Sequence, residues 1–246
     1  MNTFLFDNYV VAETNRFAKE ACIRFANSRG ELFSPLLICG SNATGKTHLL
    51  NAIKNTIEGI NSEIKIILVT GEQFANEVIE NMRAANNTES MNKMRRRYYE
   101  ADLLIIDDVD WLQHLEATRE ELFHIVEKIM NDEKKLVFSS TTGVKELFID
   151  CPKFKCKIDL FNVAPIEQPN AKLLDSLIHK NIMEGLSVSD GIKEYLKEQS
   201  GDSITKLKGM INTIKMWTDI YGYEPSLPEV ENIFEAANHY SYKINI

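Results

Sequence analysis

The segment Gly40-Ser41-Asn42-Ala43-Thr44-Gly45-Lys46-Thr47 matches the pattern GxxxxGK[ST], and its flanks constrain the fold more than any other feature of the chain. Before it lies PLLICG at 35–40, short, apolar and ending in glycine. After it, HLLNAIKNTIEGI at 48–60 repeats its apolar residues every three to four positions. Strand, glycine turn and helix in that order make a phosphate cradle, because backbone N–H groups and the positive helix N-terminus converge on one anion. Gly40 and Gly45 are expected to supply the backbone dihedrals such a turn needs. Lys46 would reach the β- and γ-phosphates, and Thr47 would offer its hydroxyl to Mg²⁺.

The same alternation continues downstream. IKIILVT (64–70), ADLLIID (101–107), KLVFSST (135–141) and a short run near 162–167 read as further strands. Between them, EQFANEVIENMRA (72–84), a basic segment at 90–99 and residues 116–131 read as helices, and NRFAKEACIRFANSR (15–29) reads as an opening helix. In that helix Phe17, Ala21, Ile23 and Phe25 form the apolar series, with Gly30 as the C-terminal cap. Buried apolar strands separated by helices predict a parallel sheet covered on both faces. Beyond Pro169 the strand signals stop, and three or four amphipathic helices predict a small all-helical domain. The expected division is a nucleotide-binding α/β domain at 1–168 and a helical lid at 169–246.

Leu103-Leu104-Ile105-Ile106-Asp107-Asp108 is an apolar strand ending in two carboxylates. A helix-capping turn also explains such a pair. Beside a phosphate cradle it reads as a Walker B segment, with Asp107 on Mg²⁺ and Asp108 polarising the attacking water. Thr141 and Thr142 follow the next strand, where ATPases of this kind place a polar sensor, although a threonine after a strand is commonplace. In MNKMRRRYY, Lys93, Arg95, Arg96 and Arg97 concentrate positive charge beside Tyr98 and Tyr99, which could stack on bases. A solvated helix face with inward tyrosines explains the same residues.

Composition narrows the partners. A net charge of -8 argues against a protein that coats duplex DNA, so any DNA contact must be local and specific duplex binding is not expected. The apolar runs at 35–39 and 103–106 are too short to cross a bilayer, and MNTFLFDNY lacks the features of a signal peptide, so a cytoplasmic protein with no membrane partner is expected. The four cysteines, Cys22, Cys39, Cys151 and Cys156, are too few and too irregular for a disulfide framework and read as reduced thiols.

FDNYVVAETNRFAKEA, PLLICGSNATGKTHLLNAI, ADLLIIDDVDWL and VAPIEQP resemble, in order and spacing, the nucleotide-binding core of the DnaA family, over residues 6–240. The resemblance implies an AAA+ P-loop fold binding ATP or ADP with Mg²⁺. It implies that Tyr9, Val10 and Asn15 line the base and ribose, and that Asn42, Ala43, Thr44, Gly45, Lys46, Thr47 and His48 hold the nucleotide. The basic helix at 90–99 falls where the family carries an insertion that contacts single-stranded DNA, which makes Arg95, Arg96 and Arg97 candidates for that contact. Three departures stand out. Thr141 occupies the place of the family's sensor aspartate, Lys153 and Lys157 lie near its inter-subunit arginines, and TKLKGMI puts Thr205 where the second-sensor arginine would stand. Lys206 is adjacent but faces another direction on a helix. The chain ends where the family's helix-turn-helix domain would begin, so either an excised core or a short homologue is expected.

The expected function is nucleotide-dependent assembly, with itself or another AAA+ replication protein, in replication initiation or its regulation, with weak ATP hydrolysis. A replicative helicase loader and a non-enzymatic, nucleotide-bound regulatory module are the alternatives.

Overall fold

The computed structural model describes residues 4–28 and 35–241. The expected cap Gly30 lies outside these residues. Two compact units emerge, one comprising Met1–Tyr9 and Glu13–Gln168, the other Val10–Ala12 and Pro169–Ile246.

The first unit contains α1 (Glu13–Asn27), β1 (Leu36–Cys39), α2 (Lys46–Ile60), β2 (Ile66–Thr70), α3 (Gly71–Arg83), α4 (Asn87–Tyr99), β3 (Leu103–Asp107), α5 (Glu116–Asn131), β4 (Lys135–Ser140), α6 (Pro152–Ile158) and β5 (Asn162–Pro165). The five strands form one sheet in the order β2-β3-β4-β1-β5, and every pairing is parallel. Because side chains alternate along a strand, Leu37, Leu104, Ile106, Leu136 and Phe138 share one face and pack into a core with Phe74 and Val78 of α3, Tyr98 of α4, Leu122 and Ile125 of α5, and Phe154 of α6. Their neighbours Leu36, Ile38, Leu103, Ile105 and Val137 point the other way and are buried as well. Both faces are therefore covered, as continuous apolar strands require.

The opening helix has a different inner face from the one its phenylalanines suggest. Thr14, Asn15, Ala18, Cys22, Phe25 and Ala26 are buried, whereas Phe17 is 64% exposed. Phe25 and Ala18 are seven positions apart and share a face, and the spacing puts Phe17 off that stripe. Two elements give no periodic signal and were not expected: α6, seven residues long, and a 3₁₀ turn at Val109–Leu112.

The second unit is all-helical over its described residues, with α7 (Ala171–Met183), α8 (Asp190–Ser200), α9 (Ile204–Tyr221) and α10 (Leu227–Ser241). Asn170, Ser189 and Ser203 cap the first three by accepting backbone N–H bonds from Leu173, Ile192 and Lys206. Leu174, Ile178, Leu196, Leu207, Ile211, Ile214 and Val230 form its core, joined by Ala12. Among the described residues, no helix is long and apolar enough to cross a membrane.

Candidate nucleotide-binding site

The glycine turn connects β1 to α2 at the carboxyl end of the sheet. Gly45, at the N-terminus of α2, has φ 102°, a left-handed conformation that glycine adopts without strain. Gly40 serves a different purpose from the one expected. It is not among the residues with positive φ; instead a Cβ there would meet Ile166 Cβ and the Ile166 carbonyl oxygen, each at 3.0 Å, so it is a close-approach glycine. The second left-handed residue of the loop is Ala43, with φ 62°, a conformation that costs a residue with a side chain about 1 kcal/mol or more.

Lys46 is 5% exposed, and its Nζ donates to the carbonyls of Gly40 at 2.8 Å and Ser41 at 3.1 Å. Thr47 Oγ1 donates to Asp107 Oδ2 at 2.6 Å. The other Asp107 oxygen accepts from the hydroxyl of Ser139, and Ser139 Oγ in turn accepts the Asp108 backbone N–H at 2.8 Å. Ser139 is fully buried, so one hydroxyl on β4 orients both carboxylate residues at the end of β3. Asp108 adopts φ 53°, which turns its side chain toward solvent, where Oδ1 lies 3.9 Å from Lys46 Nζ. Desolvation, reinforced by the charges of Asp107 and Asp110, raises the Asp108 carboxyl above the usual range, with Lys46 opposing.

Thr141 does not stand alone at the end of β4. Its Oγ1 donates to Asp110 Oδ2 at 2.5 Å, and its backbone N–H donates to Asp110 Oδ1 at 3.1 Å. Gly71 packs against the same loop, since a Cβ there would meet the Asp108 carbonyl oxygen at 2.5 Å. Sequence reasoning missed Ser139, Asp110 and Gly71. Asp110, three residues after Asp107, was the one legible signal; serine in a strand and glycine at a helix start carry none.

Tyr9 closes the α2 end of the cradle. Its ring is 7% exposed, stands edge-on to His48 at 5.2 Å, and is the first group a Cβ on Gly45 would strike. Burial pushes its phenol above the ordinary range, and Asn15, also buried, opposes this through a side-chain hydrogen bond. Asn42, Ala43, Thr44, Gly45, Lys46, Thr47 and His48 thus cluster with Tyr9 and Asn15 in the first unit. Val10 and Thr205 belong to the second, where Val10 packs on the helical core and Thr205 is exposed in the first turn of α9.

Two of the four cations of the basic helix α4 pair with carboxylates on α3 and α5. Arg95 makes a two-bond pair with Glu121, with Nε at 2.8 Å and Nη2 at 2.5 Å, and Arg97 pairs with Glu77 at 2.7 Å. Arg96 is exposed. Tyr98 is fully buried and donates to Glu77 at 2.6 Å, so it is unavailable to stack on a base. It shares the inner helix face with Met91 and Met94, seven and four residues before it. On α6, Lys157 pairs with Glu127 at 3.4 Å and Lys153 is exposed.

These residues fit a magnesium nucleotide. Mg²⁺ takes one or two protein oxygens beside phosphate oxygens and water, and the paired Thr47 hydroxyl and Asp107 carboxylate supply them. Among the described residues no cluster of three or more His, Cys, Asp or Glu side chains offers an all-protein metal cage.

A family model described as the bacterial DnaA ATPase domain matches residues 1–150. The chain is 31% identical over 252 residues to the chromosomal replication initiator protein DnaA of Borrelia garinii subsp. bavariensis, covering 99% of this chain and 51% of that protein. It therefore spans about half the length of the curated relatives it matches. Among solved structures, domain III of the Thermotoga maritima replication initiation protein DnaA superposes with a TM-score of 0.85 at 26% identity, covering 96% of this chain and 97% of that one. A replication initiator DnaA bound to AMPPCP and single-stranded DNA superposes with a TM-score of 0.78 at 27% identity, covering 87% of this chain and 65% of that one. A parallel sheet carrying this phosphate cradle, together with a family model matching more than half of the chain, establishes that the chain belongs to the DnaA family.

Proposed function

We propose that this chain binds ATP or ADP with Mg²⁺ and serves replication initiation or its regulation through nucleotide-dependent assembly with itself or another AAA+ replication protein in the cytoplasm. The observation that supports this reading is the chain of hydrogen bonds Thr47–Asp107–Ser139 beside the buried Lys46, whose ammonium is held on the loop carbonyls of Gly40 and Ser41. In the proposed domain division, 1–168 is the nucleotide-binding α/β domain and 169–246 the helical lid domain. The relative bound to AMPPCP lends support to the nucleotide.

Bound Mg²⁺ supplies positive charge to the terminal phosphates. Lys46 would hold phosphate oxygens, Thr47 and Asp107 the metal, and Asp108 would orient water and accept its proton. Hydrolysis is expected to be slow. An arginine finger contributes on the order of 10³ to 10⁵ in rate, while Lys153 and Lys157 lack its planar fork and Thr205 carries no charge. The test is titration of the chain with ATP and ADP, with and without Mg²⁺, following turnover in the same samples. Binding with turnover well below about one per second is expected. Failure to bind either nucleotide overturns the reading, and turnover of several per second abolished by Asp108→Asn shows that the catalytic cations lie elsewhere or that lysine suffices.

We further propose a weak, salt-sensitive contact of α4 with single-stranded DNA, supported by the relative that carries it. Since Glu121 and Glu77 already neutralise Arg95 and Arg97, Arg96 is expected to dominate. In fluorescence anisotropy at low salt, Arg96→Ala should remove most of the binding that the triple change at Arg95, Arg96 and Arg97 removes. An unaltered affinity in the triple variant would return α4 to a solvated helix face.

A further inference from the structure

Resting on the nucleotide reading, we infer that Asp110 sets how strongly this site discriminates against a third phosphate, by holding both donors of Thr141. Thr141 follows the end of β4, and a carboxylate reaches it from the 3₁₀ turn after β3. The two are directly joined: Asp110 Oδ2 accepts the Thr141 hydroxyl at 2.5 Å and Oδ1 accepts the Thr141 backbone N–H at 3.1 Å. A threonine hydroxyl carries one proton and an amide one. Both are committed to Asp110, so Thr141 presents only lone pairs to any further anion.

Charge adds to the effect. Asp107 ends β3, Asp108 and Asp110 follow it, and the nearest of these carboxylates to the Lys46 ammonium is that of Asp108, whose Oδ1 lies 3.9 Å from Nζ. An added phosphate brings negative charge to a site where carboxylates already outnumber the ammonium group, and where the hydroxyl that would receive it is held elsewhere. Asp110 is a specificity-determining residue acting partly through Thr141: while it holds that threonine, a diphosphate is accommodated with less repulsion than a triphosphate.

The experiment is calorimetric titration with ATP and with ADP, each with Mg²⁺, of the wild type, Asp110→Ala, Asp110→Asn and the double variant Asp110→Ala/Thr141→Val. Releasing one hydroxyl to donate to a phosphate is worth about tenfold in affinity, the scale of a charge-assisted hydrogen bond. The ratio Kd(ATP)/Kd(ADP) is expected to fall about tenfold in Asp110→Ala, to fall less in Asp110→Asn, which keeps an acceptor for Thr141, and to recover by several-fold in the double variant. Because the ratio is taken within each variant, a general loss of affinity or stability cancels. A ratio within twofold of wild type in Asp110→Ala, or a gain fully retained when Thr141 becomes valine, overturns the inference. A wild-type chain that binds neither nucleotide would instead remove the reading on which it rests.

Discussion

Replacing Lys46 with alanine should lower affinity for both ATP and ADP by at least about a hundredfold, since hydrogen bonds to charged groups contribute about 1.5–3 kcal/mol each and one ammonium makes more than one. Position explains why no neighbour can substitute. Lys46 is 5% exposed and its ammonium is held over the loop by the carbonyls of Gly40 and Ser41, so its loss leaves a cradle of backbone dipoles with no cation to face phosphate. The secondary structure of the variant should persist, because Lys46 contacts loop carbonyls rather than the core of the sheet. Calorimetry would decide the matter, with circular dichroism as the check on folding. A Lys46→Ala chain that retains nucleotide with wild-type affinity would remove the basis of the functional reading.

Gly71→Ala should destabilise the first unit by about 2–3 kcal/mol, the usual range for forcing a methyl group into packed surroundings. The added Cβ would lie 2.5 Å from the carbonyl oxygen of Asp108 and 3.1 Å from Trp111 Cβ. Backbone, not a flexible side-chain end, is what it strikes. The first turn of α3 is held by a reciprocal cap between Thr70 and Gln73, and Asp108 by Ser139, so neither partner yields freely. The expected consequence is a midpoint lowered by roughly 4–12 °C and a loss of metal-dependent nucleotide affinity, since the displaced residue adjoins Asp107. Gly59→Ala in α2 is the control: its Cβ meets nothing within 4 Å, and alanine there should stabilise the helix by about 0.4–1 kcal/mol. Thermal melts in which Gly71→Ala equals the wild type would show that the Asp108 turn is softer than its contacts imply.

The elements legible in the sequence were those with strong local periodicity. The helix read at 116–131 has the bounds of Glu116–Asn131, and the strand read at 101–107 contains β3, which starts two residues later at Leu103, because a fully apolar strand and a long amphipathic helix each carry their own signal. The short α6 and the 3₁₀ turn escaped, since four to seven residues hold too few turns for a period to show. The apolar series Phe17, Ala21, Ile23 and Phe25 has only roughly helical spacing, and the phase of the buried stripe on α1 leaves Phe17 outside.

By itself, the sequence determined the phosphate cradle and its neighbours. GxxxxGKT is contiguous, so strand, turn and helix bring Lys46 and Thr47 to one anion whatever the rest of the chain does. Only the tertiary structure decided the residues that work across strands. Ser139 meets Asp107 and Asp108, and Asp110 meets Thr141, because parallel pairing sets the ends of β3 and β4 side by side, some thirty positions apart in the chain. It decided equally that Arg95 and Arg97 spend their charge on Glu121 and Glu77, a cancellation that depends on which helices pack together and that no spacing along one helix encodes.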